Sequence, residues 1–246
     1  QVKPTEQGQD SLRERGFFNN SGHCAIIERC ARPAPREGLH RQNSALAHRM
    51  PPMPTTHLLY LHGFRSSPAS AKARQMAAHV AQHHPAVTFW CPQLPPSPQA
   101  AMAWVAQGIA QWPQGRMAVI GSSLGGFYAS WVAHHARCPS VMLNPAVDPA
   151  RDLARYIGEQ TTWQNPEERF FFLPQYIGEL QALDLRGQPA RAPELAIIAK
   201  GDEVLDWREM TTRYPQAELC LLEGGEHALH DFADHLPRIT RFLDLV

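Results

Sequence analysis

Residues 117–126 read Met-Ala-Val-Ile-Gly-Ser-Ser-Leu-Gly-Gly and join an apolar run to a segment with a helical pattern. The run at residues 117–120 predicts a strand, and residues 124–135 predict a helix. Between them the sequence matches Gly-x-Ser-x-Gly, a pattern in which a sharp strand-to-helix turn exposes the serine as a nucleophile. The alternative is a plain tight turn whose serine caps the helix. Because a strand precedes the turn and a helix follows it, we predict Ser123 as a nucleophile.

Apolar runs alternate with helical patterns on both sides of this turn. Further strands are predicted at residues 57–61, 86–90, 140–143, 195–199 and 217–222. These runs are apolar throughout, which is typical of strands in a sheet covered on both faces. Strands separated by helices make right-handed crossovers and therefore a parallel sheet. We predict one α/β domain over residues 53–246, with a mostly parallel sheet of about six strands flanked by helices.

Two segments depart from this alternation. Residues 150–190 contain helical stretches interrupted by Pro166, Pro174 and Gly187. They are predicted to form a small helical cap over the carboxyl edge of the sheet, where such folds bind ligands. Residues 1–52 are rich in Gln, Asn, Arg and Pro and show no persistent period. This composition predicts a disordered N-terminal extension; a regulatory tail is the alternative.

Composition argues against several classes of protein. The chain has 246 residues with 23 basic and 23 acidic side chains, so it lacks the basic excess of a duplex-binding protein. The apolar runs are too short to span a bilayer. Five cysteines without a Cys-x-x-Cys pair predict neither a disulfide framework nor a zinc site. Free thiols and the absence of an apolar secretory run indicate a cytoplasmic location.

A serine nucleophile needs a histidine base and a carboxylate that orients it. His227 lies on a glycine-rich loop after the last strand, and Asp202 follows the strand at residues 195–199, in the chain order Ser, Asp, His. Asp206 competes with Asp202, but Asp206-Trp-Arg-Glu209 matches a helix N-cap with its capping-box Glu. We therefore predict Asp202 as the acid. Asp148 and Asp152 are weaker candidates.

Two backbone amides should form the oxyanion hole. Leu124, the residue after the nucleophile, supplies one amide, and Phe64, in the loop after the first strand, supplies the other. His62 in that loop is interpreted as a residue that braces the loop rather than as a base, and Arg65, Ser66 and Ser67 as lining residues or as ordinary surface. A metal site at His227, His230 and Asp231 is the competing interpretation of the histidine loop. No complete ligand set of known spacing accompanies those residues, so we predict no metal.

Several motifs beyond residue 55 belong together. They are Leu58-Leu-Tyr-Leu-His-Gly-Phe64, Ser66-Ser-Pro68, Ala71-Lys-Ala73, the Gly-Ser-Ser-Leu-Gly-Gly elbow, Asn144-Pro-Ala146, Gly201-Asp-Glu-Val-Leu-Asp206 and Glu223-Gly-Gly-Glu-His-Ala228. In combination they resemble the YqiA/YcfP group of small bacterial α/β-hydrolase esterases. The resemblance implies carboxylesterase or thioesterase-like hydrolysis without a cofactor, with Ser123, Asp202 and His227 as the triad.

The leading functional hypothesis is hydrolysis of a small-molecule ester or thioester through an acyl-enzyme on Ser123. Residues 170–173, Trp163 and Tyr176 in the predicted cap either form an apolar acyl pocket or pack the cap itself. One alternative is a hydrolase fold that only binds a ligand, because fold alone does not dictate function. A peptidase or an acyltransferase with the same triad is the other.

Overall fold

The structure is a computed structural model and describes residues 53–246. The predicted N-terminal extension therefore lies outside the described residues. The strands are β1 (His57–Leu61), β2 (Thr88–Trp90), β3 (Met117–Ser122), β4 (Ser140–Leu143), β5 (Gly158–Thr161), β6 (Arg169–Phe172), β7 (Glu194–Ala199) and β8 (Glu218–Leu222). The helices are α1 (Ala71–His83), α2 (Pro98–Ile109), α3 (Leu124–Ala136), α4 (Pro149–Leu153), α5 (Gln175–Ala182), α6 (Trp207–Arg213) and α7 (Phe232–Phe242).

Six strands pair in the order β2-β1-β3-β4-β7-β8, and every pair is parallel. The predicted α/β class and parallel sheet are confirmed. The chain runs outward from β1 to β2 on one side and then crosses to β3 on the other. The strand order thus reverses between β1 and β3, and the crevice beyond their carboxyl ends is where open α/β sheets bind ligands. The loop after β1 and the turn after β3 both lie there.

Both faces of the sheet are buried at its central strands β1, β3, β4 and β7, as their continuously apolar runs predict, whereas Leu219 and Leu221 on the edge strand β8 are exposed. Leu58 and Tyr60 on β1 pack with α1 and α7, whereas Leu59 and Leu61 pack on the opposite side with α2 and α3. All four residues are buried. A third cluster covers β4 and β7 with α6, where Met210 packs against the sheet. The loops at the carboxyl edge therefore rest on a rigid frame.

The segment between β4 and β7 differs from the helical cap expected from the sequence. It contains α4, a 3₁₀ turn at Ala154–Tyr156, an antiparallel hairpin of β5 with β6, and then α5. In β6, Phe171 is 61% exposed while Phe172 is 1% exposed, which is the two-residue period of a strand. Because Phe170, Phe171 and Phe172 are all phenylalanine, this alternation is invisible in the sequence. We call residues 150–190 the cap segment.

A carboxylate on α5 fixes the cap segment to the body of the domain. The N-terminus of α2 is capped by Ser97, whose Oγ accepts a hydrogen bond from Ala100 N at 3.1 Å, and Pro98 occupies the first turn. Glu179 Oε2 accepts hydrogen bonds from Ser97 Oγ at 2.6 Å and from Gln99 N at 3.0 Å. A negative charge at a helix N-terminus is favoured by the helix dipole. This contact holds α5 beside α2.

Candidate active site

Ser123 occupies a strained turn between β3 and α3. Its backbone angles are φ 56° and ψ −121°, a conformation that non-glycine residues rarely adopt. The turn is held because Ser123 N donates to Leu143 O at 3.0 Å and Ser123 O accepts from Gly126 N at 2.8 Å. Such strain persists only where the surroundings over-determine the backbone. The side chain is partly exposed at the carboxyl edge of the sheet, as the predicted nucleophile elbow requires.

The glycines that flank Ser123 are required by close backbone packing. A Cβ atom on Gly121 would lie 2.0 Å from Gly125 O, and one on Gly125 would lie 2.0 Å from Leu61 O. Neither distance is sterically allowed, since both contacts are with backbone atoms. The glycines thus let the first turn of α3 lie directly against the ends of β3 and β1. The Gly-x-Ser-x-Gly pattern is explained by these two contacts.

The loop after β1 lies beside the Ser123 side chain. A Cβ on Gly63 would lie 3.7 Å from Ser123 Oγ, so the backbone of this loop closely approaches the candidate nucleophile. Among residues 53–246, the backbone amides of Phe64 and Leu124 donate no hydrogen bond to the protein. Leu124 is also the first residue of α3, where the helix dipole adds positive character. Both predicted oxyanion donors are therefore available to a ligand.

His62 braces this loop and has no nitrogen left for catalysis. Its Nε2 accepts a hydrogen bond from Leu94 N at 3.1 Å, so its Nδ1 carries the proton and donates to Gly63 O at 3.0 Å. Burial lowers the pKa of His62, and the hydrogen bond to Gly63 opposes that change only in part. The neutral ring ties the loop after β1 to the segment after β2. The sequence suggested a bracing role but did not indicate Leu94 as the partner.

Asp202 and His227 come together at the carboxyl ends of β7 and β8. Asp202 Oδ2 and His227 Nδ1 are 2.7 Å apart, and the side chains are 0% and 20% exposed. The other carboxylate oxygen, Oδ1, accepts hydrogen bonds from Val204 N and Leu205 N, both at 2.8 Å. The carboxylate is thus fully satisfied in a buried position. The two loops approach each other closely at Gly201 and Gly225. A Cβ atom on Gly201 would lie only 2.3 Å from Gly225 O.

Asn144 is a positioning residue that sequence reasoning did not identify. It follows β4, is 0% exposed and has a φ of 40°. Its Nδ2 donates to Glu226 O at 3.1 Å and to His227 O at 3.3 Å, while its Oδ1 accepts from Ala199 N at 2.8 Å. One side chain therefore fastens the histidine loop to the end of β7. The signal in the sequence was the polar Asn144-Pro145 pair directly after an apolar strand.

Ser123 and His227 are joined through neighbouring residues rather than through a direct hydrogen bond. Ser123 N binds Leu143 O, and the next residue, Asn144, holds the His227 carbonyl. Within the described part of the chain, the His227 ring makes one hydrogen bond, the one to Asp202. Its Nε2 is free for a reacting proton. In ligand-free enzymes the bond between nucleophile and base is often long and tightens when substrate binds.

The competing carboxylates have other partners. Asp206 caps α6 by accepting a hydrogen bond from Arg208 N at 2.9 Å, as expected, whereas Glu209 pairs with Arg151 instead of completing a capping box. Asp148 caps α4. Asp152 contacts Arg151 at 2.8 Å.

The histidine loop does not assemble the competing metal ligands. His230 pairs with Glu226 at 2.8 Å, and Asp231 pairs with His235 at 3.4 Å. His227 faces Asp202 instead. Across residues 53–246 no three His, Cys, Asp or Glu side chains are grouped closely enough to hold a metal ion.

A cavity of about 670 Å³ opens beside the two free amides. Its apolar lining includes Phe64, Leu94, Trp104, Leu124, Tyr128 and Phe170. Gln93 and Glu168 add polar groups at its wall. A larger cleft of about 820 Å³ lies between α3, α6 and residues 185–192. Ser123, Asp202 and His227 line neither space, but the smaller cavity is lined by Phe64 and Leu124, which carry the two free amides, and by Gly63, whose backbone approaches Ser123 Oγ. The smaller cavity is therefore the one positioned to receive a molecule that reacts at Ser123.

One aromatic residue of the cap segment lines the cavity, and others pack the cap segment itself. Phe170 lines the cavity, while Phe172 is buried and packs with Phe64 at 5.3 Å and with Tyr176 at 5.5 Å between ring centroids. Trp163 is 64% exposed and stacks under the Arg65 guanidinium at 4.1 Å. Of these cap-segment aromatic residues, only Phe170 adds to the cavity wall.

Arg65 connects the loop after β1 to the cap hairpin. Its Nε donates to Thr161 O at 2.7 Å and its guanidinium also donates to Thr161 Oγ1 at 2.9 Å, while Arg65 O accepts from Trp163 N at 2.8 Å. The loop that carries the Phe64 amide is thus bonded directly to β5 and the residues after it. No motif in the sequence indicates this long-range contact.

Comparison with known proteins places this arrangement in a family. The profile of the Uncharacterised protein family (UPF0227) matches residues 57–244. The chain belongs to UPF0227. The resemblance found in the sequence, to a small esterase-like group of the α/β-hydrolase superfamily, is confirmed at the level of family and fold.

Solved structures share the fold of this UPF0227 member at low sequence identity. A putative hydrolase from Agrobacterium vitis S4 aligns with a TM-score of 0.62 and 15% identity, over 78% of this chain and 90% of that one. The mouse alpha/beta hydrolase domain-containing protein 10 gives 0.61 and 16%, over 78% and 91%. Est1E from Butyrivibrio proteoclasticus, solved with ferulic acid bound, gives 0.58 and 14%, over 80% and 89%. These similarities establish the α/β-hydrolase fold.

Proposed function

We propose that this protein is a serine hydrolase of carboxylic esters in which Ser123, His227 and Asp202 form the catalytic triad. The buried Asp202–His227 pair carries the proposal. Burial of a carboxylate is costly, and here its two oxygens are shared between two backbone amides and one imidazole. That arrangement orients the imidazole so that the N–H group at Nδ1 donates to Asp202 Oδ2, which leaves Nε2 unprotonated. An unprotonated Nε2 is what a general base for serine needs.

Acylation begins when His227 Nε2 takes the Ser123 hydroxyl proton while Oγ bonds to the ester carbonyl carbon. The carbonyl oxygen becomes negatively charged and is bound by the Phe64 and Leu124 amides. Collapse of this intermediate breaks the bond to the alcohol oxygen, which receives the proton from His227. The acyl group then remains on Ser123.

Deacylation repeats these roles with water. His227 removes a proton from water as the water oxygen attacks the acyl-enzyme carbonyl, and the same amides bind the oxyanion. Ser123 Oγ leaves with that proton, and the carboxylic acid is released. Asp202 stays ionised and stabilises the imidazolium in both steps. The same chemistry cleaves a thioester, with a thiol as the leaving group.

The cavity beside the two amides supports an ester with an apolar group of moderate size. Its aromatic and aliphatic wall favours burial of hydrocarbon, and its volume of about 670 Å³ lies within the range of small-molecule sites. Phe170 and Trp104 stand on this wall and come from the cap segment and α2. We propose that these residues set substrate length.

A panel of p-nitrophenyl esters of graded chain length, run beside acyl-CoA and peptide substrates, tests the proposal. Turnover of esters by the wild-type protein is expected, with a fall for chains too long for the cavity. A fluorophosphonate probe should label Ser123. Ser123→Ala should abolish both labelling and turnover, whereas Ser122→Ala, a matched change at the buried end of β3, should retain both.

The alternatives give different results in the same experiments. A protein that only binds its ligand would leave every ester intact and would not react with the probe. Preferential cleavage of peptides, or transfer of the acyl group to an added alcohol, would indicate the peptidase or the acyltransferase. Loss of activity in Ser122→Ala with activity kept in Ser123→Ala would mean that the elbow is assigned one residue too late.

The cellular location of the protein is a separate question from its chemistry. Across residues 53–246, no helix is long and apolar enough to cross a membrane. In the same range Cys91, Cys138 and Cys220 are free thiols. The cytoplasmic location expected from the sequence stays a prediction.

A further inference from the structure

Lys72 reaches from the first turn of α1 to the loop that carries His227. The side chain is half-buried, and its Nζ donates to Ala228 O at 2.5 Å. Ala228 directly follows the proposed base. A charged donor makes a shorter and stronger hydrogen bond than a neutral one. This contact joins two segments that are 156 residues apart in the sequence.

Together with Asn144, Lys72 holds three consecutive carbonyl groups of this loop. Asn144 binds the carbonyls of Glu226 and His227 from the β4 side, and Lys72 binds the carbonyl of Ala228 from the α1 side. The loop belongs to no strand or helix, so it has no regular ladder of its own to fix these groups. Glu203, on the loop after β7, adds a third contact, because its Oε2 accepts a hydrogen bond from His227 N at 3.0 Å. The backbone position of the histidine loop therefore depends on side chains from three other segments.

The charges around the Lys72 ammonium come from the two loops that form the site. Glu226 on the loop after β8 and Asp202 on the loop after β7 both favour the charged form. Burial is the larger effect and lowers the pKa of Lys72 to about 8. Lys72 thus carries its charge below about pH 8 and loses it above. The Glu226 carboxylate also contacts His230 on the same loop, with Oε1 at 2.8 Å from His230 Nδ1.

The helix that packs against α1 is α7, which carries Asp234, His235, Arg238 and Arg241, and of these Arg238 pairs with Glu218 at 2.7 Å. On α7 and the residue before it, His235 and Asp231 lie 3.4 Å apart and form an ion pair when the ring is protonated. On α1 itself, Arg74 is exposed and makes no hydrogen bond to the carbonyls of the histidine loop within the described residues.

We propose that Lys72 is a positioning residue that holds the His227 loop in the geometry required for proton transfer from Ser123. The role rests on the function proposed above. The ammonium group touches neither the reacting atoms nor the cavity wall. It acts on the backbone next to His227, so its removal should let the imidazole drift relative to Ser123. A displacement of about 1 Å in such a group is enough to cost about 100-fold in rate.

Three variants test the role of Lys72. Lys72→Met removes the donor and the charge but keeps the apolar stem, Lys72→Arg keeps both donor and charge, and Arg74→Met removes an exposed charge from the same helix. For Lys72→Met we expect kcat to fall by about 10- to 100-fold with little change in KM. Lys72→Arg should restore much of that loss, and Arg74→Met should match wild type. Equal melting temperatures would show that all three variants fold.

The pH profile gives a readout that a purely structural role would not move. Because Lys72 loses its charge near pH 8, wild-type kcat should decline above that pH. In Lys72→Arg the guanidinium stays charged, so the decline should disappear. An alkaline decline that persists unchanged in Lys72→Arg, or a normal kcat in Lys72→Met, would overturn the proposal.

Hydrogen exchange separates failure of this proposal from failure of the proposed function. Amides in residues 223–230 should exchange faster in Lys72→Met than in wild type, and at the wild-type rate in Arg74→Met. Unchanged exchange in Lys72→Met refutes the positioning role even if the protein hydrolyses esters. A wild-type protein that neither turns over esters nor reacts with the fluorophosphonate probe refutes the triad, while the exchange measurement still decides whether Lys72 holds the loop.

Discussion

Replacement of Asp202 by asparagine should invert the proton position on His227. The side chain keeps its size, and its oxygen can still accept hydrogen bonds from Val204 N and Leu205 N. The new amide group then takes the place of Oδ2, which lies 2.7 Å from His227 Nδ1. An amide nitrogen only donates, so Nδ1 must accept and the proton must move to Nε2. A protonated Nε2 cannot take the proton of Ser123.

The expected loss in kcat for Asp202→Asn is up to about 10⁴, the size of the same effect in another serine hydrolase. That factor corresponds to about 5.5 kcal/mol in the activation barrier. KM should change little, because Asp202 does not line the cavity beside Phe64. Steady-state hydrolysis of a short p-nitrophenyl ester measures both constants, and thermal unfolding checks that the variant folds.

Asp206→Asn is the matched control for this experiment. It removes one carboxylate four residues away, and asparagine caps a helix about as well as aspartate does. Turnover and melting temperature should therefore stay near those of wild type. If Asp206→Asn is inactive and Asp202→Asn retains near-normal turnover, the acid has been assigned to the wrong residue.

Two further substitutions test the frame around the site. Gly125→Ala would place a Cβ 2.0 Å from Leu61 O and should destabilise the domain by about 3 kcal/mol, which a lower melting temperature would show. Gly178 has open space around it, so Gly178→Ala should stabilise α5 by about 0.5 kcal/mol. Equal melting temperatures for the two variants would contradict this account of the elbow. Asn144→Ala should cost about 3 kcal/mol in denaturant unfolding and also lower kcat, since it releases the His227 carbonyl. A normal kcat would show that the contacts of Lys72 and Glu203 suffice to hold the loop.

The sheet was predictable because its signals are local. The strand at residues 140–143 and the turn at Ser123 depend on apolar runs and glycines that are adjacent in sequence, and the structure agrees closely with both. The hairpin of β5 and β6 was not predictable in this way. Gly158–Thr161 has no apolar run, and it becomes a strand only by pairing with Arg169–Phe172. Non-local pairing of this kind overrides weak local preference.

The same distinction applies to the candidate site. Asp202 and His227 were predicted from their positions after consecutive strands, because parallel topology brings the carboxyl ends of neighbouring strands to one edge. The supporting contacts of Asn144, Arg65 and Lys72 join segments from 55 to 156 residues apart. No spacing rule connects residues so distant. Their partners are visible only once the loops are placed in three dimensions.

The link between Arg65 and Thr161 has a consequence for evolution and for protein engineering. A cap can be exchanged without affecting the catalytic body only if no bond joins the two. Here the backbone of the residue after Phe64 is bonded to the cap hairpin, so a graft of a foreign hairpin would also disturb an amide proposed to bind the oxyanion. Selection for new substrates through residues 158–172 should therefore yield epistatic pairs, with second-site changes in the loop after β1 that recover kcat.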